Sequence, residues 1–376
     1  MQTQIAIAGA GLAAALTALR LLSRPDCPSV ILADPAPLTG RTWSFHEHDI
    51  SASDREWLAP AVAYQWAGQD VRFPGNIRSL RAGYATITPT SMAGALRHPQ
   101  LTMMQARVQS LSPDHMLLDD GTRIDTRCVI DARGIVAHPA MDIAFQKFLG
   151  QEVELDAPHG LTRPIIMDAT VDQVDGYRFV YVLPFGPNRL LIEDTRYSDT
   201  ATLSAEGVRA AIGEYANSQG WTITRILAEE QGALPLMLGF DPKAFWADAH
   251  LPRIGMRAAQ FHPVTGYSLP DAVRTSAVVE AHWHKGSDAL AHAIRQDALS
   301  RTTRFYRLLN RMLFRAADPA QRRHVMNRFY RLPEPLIERF YAGRTTPADM
   351  ARILIGKPPV PIRRALRALP ERISDV

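Results

Sequence analysis

Two adjacent carboxylates end an apolar run at residues 189–197, where the sequence reads R-L-L-I-E-D-T-R-Y. An ionised carboxylate is unfavourable in an apolar environment, so burial raises the pKa of such a group and keeps it protonated. A buried carboxylic acid can donate this proton to a substrate. Glu193 and Asp194 are therefore the first candidates for catalytic residues.

The apolar run before the acid pair predicts a β-strand, in which successive side chains point to opposite faces. Glu193 shares one face with Leu191 and Thr195, and Asp194 takes the other. If the strand is straight, one acid of the pair points into a substrate cavity. Asp194 would then orient a neighbour or pair with an arginine such as Arg196. The alternative is a strand end with two solvated carboxylates.

A glycine-rich turn near the N-terminus has the pattern of a dinucleotide site. The strand-like I-A-I-A leads into Gly9-x-Gly11-x-x-Ala14 and an Ala/Leu-rich helix. Gly9 permits a tight turn, Gly11 lets the backbone approach a pyrophosphate, and the small Ala14 allows close helix–strand packing. Asp34 ends the second apolar strand, where an acid binds the adenosine ribose. The pattern predicts dinucleotide binding.

Two later segments favour FAD over NAD. V-I-D-A-R-G, which contains Asp131, resembles the second fingerprint of the large two-domain flavoproteins. I-G-M-R-A, which contains Gly255, resembles the third, where a glycine approaches the phosphates and ribityl chain. The alternative for the first segment is a plain strand that ends in an Arg-Gly turn.

Length and composition limit the possible classes of protein. A chain of 376 residues with 46% hydrophobic residues is long enough for two domains. Cys27 and Cys128 cannot form a disulfide framework, which fits a reducing cytoplasm. We find no signal peptide and no apolar run long enough to span a bilayer. His282 and His284 would face different sides of a helix, so we expect no metal site.

The C-terminal part of the chain is strongly basic. Residues 301–376 contain 16 Arg and 1 Lys against 6 acids. The arginines that recur at helical spacing are Arg301, Arg304, Arg307, Arg311 and Arg315. This stripe predicts an amphipathic helix that docks on an anionic membrane surface, or else a packed helix with solvated arginines. No nucleic-acid-binding motif accompanies the charge, so we expect no nucleic-acid partner.

These patterns predict an α/β fold. We expect a Rossmann-type FAD-binding domain of the two-domain flavoprotein kind, interleaved with an antiparallel-sheet substrate domain and followed by a helical C-terminal region. The predicted ranges are 1–60, 86–135 and 250–290 for the FAD-binding domain, 61–85 and 136–249 for the substrate domain, and 291–376 for the helical region. A strong hairpin candidate lies at 177–196.

Three stretches, together with the N-terminal fingerprint, resemble the bacterial lycopene β-cyclases. They are R-T-W-S-F-H (41–46), L-L-I-E-D-T (190–195) and F-H-P-V-T-G-Y-S (261–268). The resemblance extends from residue 5 to at least 340 with matching order and spacing. The acidic motif of the plant relatives reads F-L-E-E-T, so Asp194 stands in place of its second Glu.

The resemblance implies an isomerase, or intramolecular lyase, that converts the linear ψ-ends of lycopene to β-ionone rings. The product forms by way of γ-carotene to β-carotene with no net redox change. FAD would act in its reduced form as an anion that stabilises a carbocation, with NAD(P)H as the reductant. Other ψ-end carotenoids would be further substrates. The protein would be cytoplasmic and peripherally associated with the membrane that holds them.

The resemblance also implies roles for individual residues. Glu193 would be the acid, with Asp194 as a supporting residue. Arg41 would contact the FAD phosphates. The residues expected near the flavin are His262, Thr265, Gly266 and Tyr267, with N–H groups at Gly266 directed at the pyrimidine edge of the flavin. Trp43, Phe45 and His46 would either line the channel or belong to the core.

Two other functions compete with cyclisation. A flavin monooxygenase or a prenyl-chain reductase would keep the fold, and it would consume NAD(P)H in step with product. A non-catalytic carotenoid- or flavin-binding protein would not need the acid at Glu193. The residue that takes the final proton and the oligomeric state are not determined by the sequence.

Overall fold

The computed structural model describes residues 1–38, 41–301, 303–356 and 360–371. Its strands are β1 (Gln2–Ala8), β2 (Val30–Asp34), β3 (Trp43–His46), β4 (Tyr64–Trp66), β5 (Gln69–Phe73), β6 (Asn76–Leu80), β7 (Tyr84–Ile87), β8 (Leu101–Gln105), β9 (Val108–Ser112), β10 (His115–Leu118), β11 (Arg123–Asp131), β12 (Met141–Leu155), β13 (Ile165–Asp168), β14 (Tyr177–Gly186), β15 (Arg189–Ser198) and β16 (Ile223–Phe240). Its α-helices are α1 (Leu12–Leu22), α2 (Ala52–Leu58), α3 (Pro89–Ala95), α4 (Ala205–Ser218), α5 (Pro242–Phe245), α6 (Leu269–His282), α7 (Ser287–Ser300), α8 (Arg304–Arg311), α9 (Arg322–Phe329), α10 (Glu334–Tyr341), α11 (Pro347–Leu354) and α12 (Ile362–Ala368).

The first sheet contains the predicted dinucleotide-binding unit. Its strands follow the order β8-β2-β1-β11-β10-β9, and the first four are parallel. Ile7 of β1 aligns with Ile130 of β11, and both side chains are fully buried. Helices α1 and α6 pack against this core through Leu16 and Val273. The apolar runs at 5–8 and 30–33 are therefore central strands that are buried on both faces.

The second sheet is larger and carries the predicted hairpin. Its order is β16-β12-β15-β14-β13-β5-β6, and the pairs are antiparallel except for β13 with β5. One face packs against α4, where Ile192 meets Ile212. The other face joins a separate core that includes Phe179 and Leu191. Each strand of the hairpin therefore places alternate residues in two different environments.

A small sheet of order β3-β7-β4 completes the α/β fold, and the predicted fold class is confirmed. Residues 61–85 contribute to two sheets, because β5 and β6 lie in the second sheet whereas β4 lies in the small one. The predicted domain ranges remain a prediction. No helix of the described residues is long and apolar enough to cross a membrane.

The arginines of α8 do not form the surface stripe that their spacing predicts. Arg307 and Arg311 are only 4% and 7% exposed. Arg307 forms an ion pair with Glu371. Arg311 donates hydrogen bonds to the carbonyl oxygens of Leu238 (2.7 Å) and Ala368 (3.0 Å). The helix is confirmed and the continuous stripe is not, because Arg307 and Arg311 turn inward while Arg304 and Arg315 stay exposed. Membrane docking by this part of the chain remains a prediction.

Arg307 and Arg311 turn inward because α8 packs against the edge of the second sheet. Strand β16 is an edge strand, and edge strands leave backbone groups unpaired. Side chains of α8 satisfy these groups, since Asn310 Nδ2 also donates to the Met237 carbonyl at 2.9 Å. The polar face of α8 therefore turns toward the sheet, where buried carbonyl groups need hydrogen-bond donors.

Candidate active site

A cavity of about 470 Å³ is lined by residues of all three sheets. Its first end is bordered by Gly11, Asp34, Arg41, Ala132 and Gly255. Its second end is bordered by Tyr84, Tyr181, Glu193 and Glu230. The predicted dinucleotide turn and the predicted acid therefore open into one enclosed space.

The turn between β1 and α1 has the geometry of a pyrophosphate site. Gly9 has a φ of +102°, and a Cβ there would lie 2.6 Å from the Ala132 carbonyl oxygen, so this position requires glycine. At Gly11, no described atom beyond the chain neighbours lies within 4 Å of the place a Cβ would take. This space adjoins the N-terminus of α1, where free N–H groups and the helix dipole favour anions.

The other residues of the predicted fingerprint surround this turn. The Ala10 N–H donates to Asp34 Oδ2 at 2.9 Å, and the Ala36 N–H donates to Asp34 Oδ1 at 2.8 Å. Asp34 thus braces the glycine turn while it lines the cavity. Ala14 is fully buried within α1, and Arg41 is exposed at the cavity mouth. The residues present fit a dinucleotide such as FAD.

The second and third flavoprotein segments meet beside α1. The Asp131 carboxylate pairs with Arg133 and Arg257 at 2.9 Å each, so the part of this segment that borders the cavity is Ala132–Gly134. These hydrogen bonds and charges hold the pKa of Asp131 below its usual value against the effect of burial. Gly255 has a φ of +62°, and a Cβ there would lie 2.6 Å from the Ala13 Cβ. The glycine permits close approach to α1.

His262 shapes the turn before α6 and does not line this cavity. Its Nδ1 accepts the N–H groups of Val264 and Thr265 at 3.3 Å each. The ring proton therefore lies on Nε2, which donates to the Phe340 carbonyl at 3.0 Å. Burial lowers the pKa of His262 to about 4, and the ring is neutral at physiological pH.

The expected role of the Gly266 N–H is corrected by the structure. This group donates to the His262 carbonyl at 2.9 Å, so it closes the turn and is not directed at a ligand. Thr265, Gly266 and Tyr267 do line the cavity. Helix α6 begins at Leu269, and its first N–H groups have no intrahelical partner. Ser268 and Leu269, at the N-terminus of α6, also line the cavity.

Glu193 and Asp194 lie on opposite faces of β15, as strand alternation predicts. Glu193 lines the cavity, whereas Asp194 is fully buried on the other face. Arg178 Nε donates to Asp194 Oδ2 at 2.7 Å, and Arg196 Nε donates to Oδ1 at 3.1 Å. The predicted pairing with Arg196 is confirmed. The catalytic roles of the two acids remain a prediction.

The environment of Glu193 favours its protonated form. Its side chain is half-buried beside the cavity, and this burial raises its pKa to about 8. The charge of Glu230 raises the pKa further, and a 2.7 Å hydrogen bond from Thr195 Oγ1 lowers it. At neutral pH the Glu193 carboxyl therefore keeps its proton, as a proton donor requires.

An aromatic wall beside Glu193 was not predicted from the sequence. Tyr181 of β14 lies directly opposite Glu193. The Tyr84 hydroxyl lies 3.1 Å from the hydroxyls of both Tyr181 and Tyr267. Burial raises the pKa of all three phenols, so they are neutral. The hairpin pattern contained a signal for Tyr181, but no local pattern relates Tyr84 on β7 to this site.

The aromatic residues of the 41–46 stretch have different positions. Trp43 lines the cavity, whereas Phe45 belongs to the first core. His46 is buried, and its Nδ1 lies 2.8 Å from Gln69 Nε2. Trp43 and Phe45 are two residues apart on β3 and share a strand face, so their position along the strand, and not alternation, divides this stretch between channel and core.

The protein-family model described as Lycopene cyclase protein matches residues 4–367. The chain belongs to the lycopene cyclase family. The match begins in β1 and ends in α12, so it includes the dinucleotide turn, the acid-bearing hairpin and the turn before α6.

Curated members of the lycopene cyclase family resemble the chain over nearly its full length. It is 48% identical to the lycopene beta-cyclase of Pantoea ananas over 370 residues, which is 96% of this chain and 97% of the relative. It is 46% identical to the lycopene beta-cyclase of a Paracoccus species over 383 residues, with 99% and 98% covered.

Solved structures share the fold at low sequence identity. The flavin-dependent brominase Bmp2 has a TM-score of 0.60 at 12% identity, and 91% of this chain and 94% of that one are covered. The p-nitrophenol 4-monooxygenase PnpA from Pseudomonas putida has a TM-score of 0.57 at 15% identity, with 94% and 97% covered. The two-domain flavoprotein fold of this family member is thus confirmed.

The division between Glu193 and Asp194 predicts different effects on stability. Asp194→Ala would leave Arg178 and Arg196 without their buried carboxylate, so we expect the free energy of unfolding to fall by about 3 kcal/mol. Glu193→Gln removes no ion pair, so we expect the free energy of unfolding to stay nearly unchanged in this variant. Urea denaturation of both variants measures the difference. Equal losses in the two variants would contradict the division.

Proposed function

We propose that this member of the lycopene cyclase family is a lycopene β-cyclase that forms β-rings at the ψ-ends of lycopene. The observation that carries the proposal is a carboxyl without an ion pair to any described residue, Glu193, that opens into an aromatic-lined cavity shared with a dinucleotide turn. The two curated relatives described above are named lycopene beta-cyclases, and this chain matches 97% and 98% of their lengths. Other ψ-end carotenoids are further candidate substrates.

Glu193 is the proposed acid. Its proton bonds to C2 of a ψ-end, and the electrons come from the C1=C2 double bond, so positive charge appears at C1. C6 then bonds to C1 with electrons from the C5=C6 double bond, and the charge moves to C5. Loss of the C6 proton restores the double bond between C5 and C6. Each ring is therefore formed by isomerisation, with no net redox change.

The cavity walls are suited to a cationic intermediate. Tyr181, Tyr84 and Phe179 border the cavity, and aromatic faces attract cations by about 0.5–2 kcal/mol each. Enclosure also keeps out water, which would otherwise trap the cation as an alcohol. Asp194 has a supporting role, because its pairs with Arg178 and Arg196 fix the strand that carries the acid.

FAD is the proposed cofactor. Gly9, Gly11 and Asp34 would hold its adenosine and pyrophosphate, with Arg41 beside the phosphates and the N-terminus of α6 beside the flavin. When bound in its reduced form, FAD supplies negative charge that stabilises a neighbouring carbocation, and NAD(P)H is the reductant that keeps it reduced. The chain's own residues supply the proton and the enclosing walls.

A substitution at Gly11 tests the cofactor site. The protein has room for a Cβ there, so we expect Gly11→Ala to fold normally while the added methyl hinders the approach of the pyrophosphate. FAD affinity, measured by flavin fluorescence titration, should fall at least tenfold. The control is Gly94→Ala. A Cβ would also have room at Gly94, which lies within α3 and is far from the turn in sequence. Equal affinities in the two variants would contradict this site.

The membrane surface proposed for this enzyme lies on α11 and α12 and not on α8. The large exposed apolar side chains of this region are Leu354, Ile355, Ile362, Leu366 and Leu369, each about half exposed or more. Ile362, Leu366 and Leu369 have i, i+4, i+7 spacing, which places them on one helical face. Arg352, Arg363 and Arg367 are exposed beside them. Apolar residues flanked by arginines suit an anionic lipid surface.

Charge introduced on this face should weaken membrane binding. We expect the double change Ile362→Asp with Leu366→Asp to abolish co-sedimentation with vesicles that contain anionic lipid. Arg363→Gln and Arg367→Gln should each weaken binding about fivefold, because one such arginine contributes roughly 1 kcal/mol near an anionic surface. The control is Ile77→Asp on β6, since Ile77 is 76% exposed elsewhere. Unchanged binding in the double variant would exclude this surface.

The main alternative is a flavin monooxygenase, because PnpA, which shares the fold, is a p-nitrophenol 4-monooxygenase. Anaerobic protein with fully reduced FAD in liposomes should convert lycopene to β-carotene without net NAD(P)H oxidation. Glu193→Gln, which keeps the size of the side chain but loses the acidic proton, should lower the rate at least about 100-fold. Lycopene and β-carotene are followed by chromatography, and NAD(P)H oxidation is measured in the same samples. Product that forms only after oxygen is admitted, with NAD(P)H oxidised in proportion to it, would support the monooxygenase.

A further inference from the structure

A second carboxyl group opens into the same cavity as Glu193. In the second sheet, Gly150 of β12 lies opposite Glu193 on β15 and opposite Glu230 on β16. Residues in register on adjacent strands share a face, so all three point toward the cavity, and the central one has no side chain. Two strand spacings put the Cα atoms of the two acids roughly 10 Å apart.

The pair Glu229-Glu230 is divided by its strand in the same way as Glu193-Asp194. Glu229 pairs with Arg209 at 2.7 Å and accepts a hydrogen bond from Gln151 Nε2 at 2.9 Å. Glu230 faces the cavity, where its Oε2 accepts the Thr42 N–H at 2.9 Å. Each acid pair therefore contributes one carboxyl to the cavity and one to an ion pair outside it.

The two cavity acids differ in how readily they give up a proton. Burial raises the pKa of Glu230 to about 7, while the Thr42 N–H and the charge of Arg41 lower it. The pKa of Glu193 is about 8, and a charged Glu230 is among its causes. The Thr42 N–H and the charge of Arg41 favour the ionised form of Glu230, whereas Glu193 forms no ion pair with a described residue. Paired groups whose environments separate their pKa values are suited to opposite acid and base roles.

We propose that Glu230 is the base that removes the C6 proton in the last step of ring formation. This assignment rests on the proposed function. The C6–H electrons form the C5=C6 double bond, the cation at C5 is neutralised, and the proton bonds to a Glu230 carboxylate oxygen. Proton exchange with solvent afterwards returns Glu230 to its ionised form and Glu193 to its protonated form, so no oxidant or reductant is consumed.

Two of the other candidate bases, Asp34 and Asp194, lie too far from the ring-forming end of the cavity, and the third is Glu193 itself. Among the described residues that line the cavity, the carboxylates are Asp34, Glu193 and Glu230. Asp34 accepts two backbone N–H groups at the dinucleotide end. Asp194 lies on the opposite face of the sheet. After it protonates C2, Glu193 is itself a carboxylate and is therefore the competing base, whereas Glu230 faces the same space from two strands away. Removal of the C6 proton by Glu193 would predict that Glu230→Gln still forms β-rings alone.

The structure of the product tests this assignment more sharply than the rate does. A cation at C5 can lose a proton from C6, from C4 or from the attached methyl group, which give the β-ring, the ε-ring and a ring with an exocyclic double bond. A correctly placed base selects the first. Loss of a purely structural residue would lower the yield without changing which proton leaves.

Glu230→Gln is the principal variant, because its amide oxygen can still accept the Thr42 N–H while the basic carboxylate is lost. We expect turnover to fall about 100-fold or more with FAD affinity unchanged. The residual product, resolved by chromatography and proton NMR, should contain ε-rings, exocyclic double bonds or hydroxylated ends. Glu230→Asp should retain β-rings at a reduced rate. The control Glu229→Gln, outside the cavity, should keep both the wild-type rate and the product.

Three outcomes would overturn the assignment. Glu230→Gln could form β-rings alone at a near-normal rate, which would show that another group removes the proton. It could lose FAD affinity in step with activity, which would make Glu230 a positioning residue for the segment at Thr42. Wild-type protein with reduced FAD could fail to cyclise lycopene, which would overturn the proposed function itself and is recognised before any variant is tested.

Discussion

Side chains alternate between the faces of a β-strand, and the site depends on this alternation in the second sheet. One face of the sheet borders an enclosed cavity, and the other is buried under α4 and ion pairs. The Glu193 carboxyl on the first face forms no ion pair with a described residue, so desolvation favours its neutral form. The Asp194 carboxyl on the second face forms ion pairs with Arg178 and Arg196. Glu193 and Asp194 are neighbours in sequence and yet have opposite electrostatic environments.

The ion pairs on one face of the second sheet hold in place the residues on its cavity face. Asp194 is held between Arg178 of β14 and Arg196 of its own strand, and these bonds fix the hairpin that carries Glu193. A protonated carboxyl makes few strong interactions, so its position depends on the rigidity of its strand. The ion pairs of Asp194 supply that rigidity, and they lie on the opposite face of the sheet from the place where a cation would form.

The cavity joins elements that are far apart in the chain. The glycine turn at Gly9 and Gly11 lies at one end, and Glu193 lies at the other. The segment that begins at Arg41 connects them, because Thr42 donates a hydrogen bond to Glu230 on the edge strand of the second sheet. A cofactor held at the first end would thus share an enclosed, low-dielectric space with two carboxyls, where charges act more strongly than in water.

The sequence by itself determined the βαβ unit, the glycine turn, the hairpin and the opposite faces of Glu193 and Asp194, because these follow from local spacing. The tertiary structure alone decided what lies opposite each face. A shift in register between Pro184 and Gly186 places Tyr181 across from Glu193, where an unshifted hairpin would place Val182. It also turned Arg307 and Arg311 of α8 inward. Arg311 donates to a carbonyl of the edge strand β16, and helical spacing does not encode the position of that carbonyl. Glu230 became a cavity residue only when β12 and β16 paired, since register between distant strands is a property of the folded sheet.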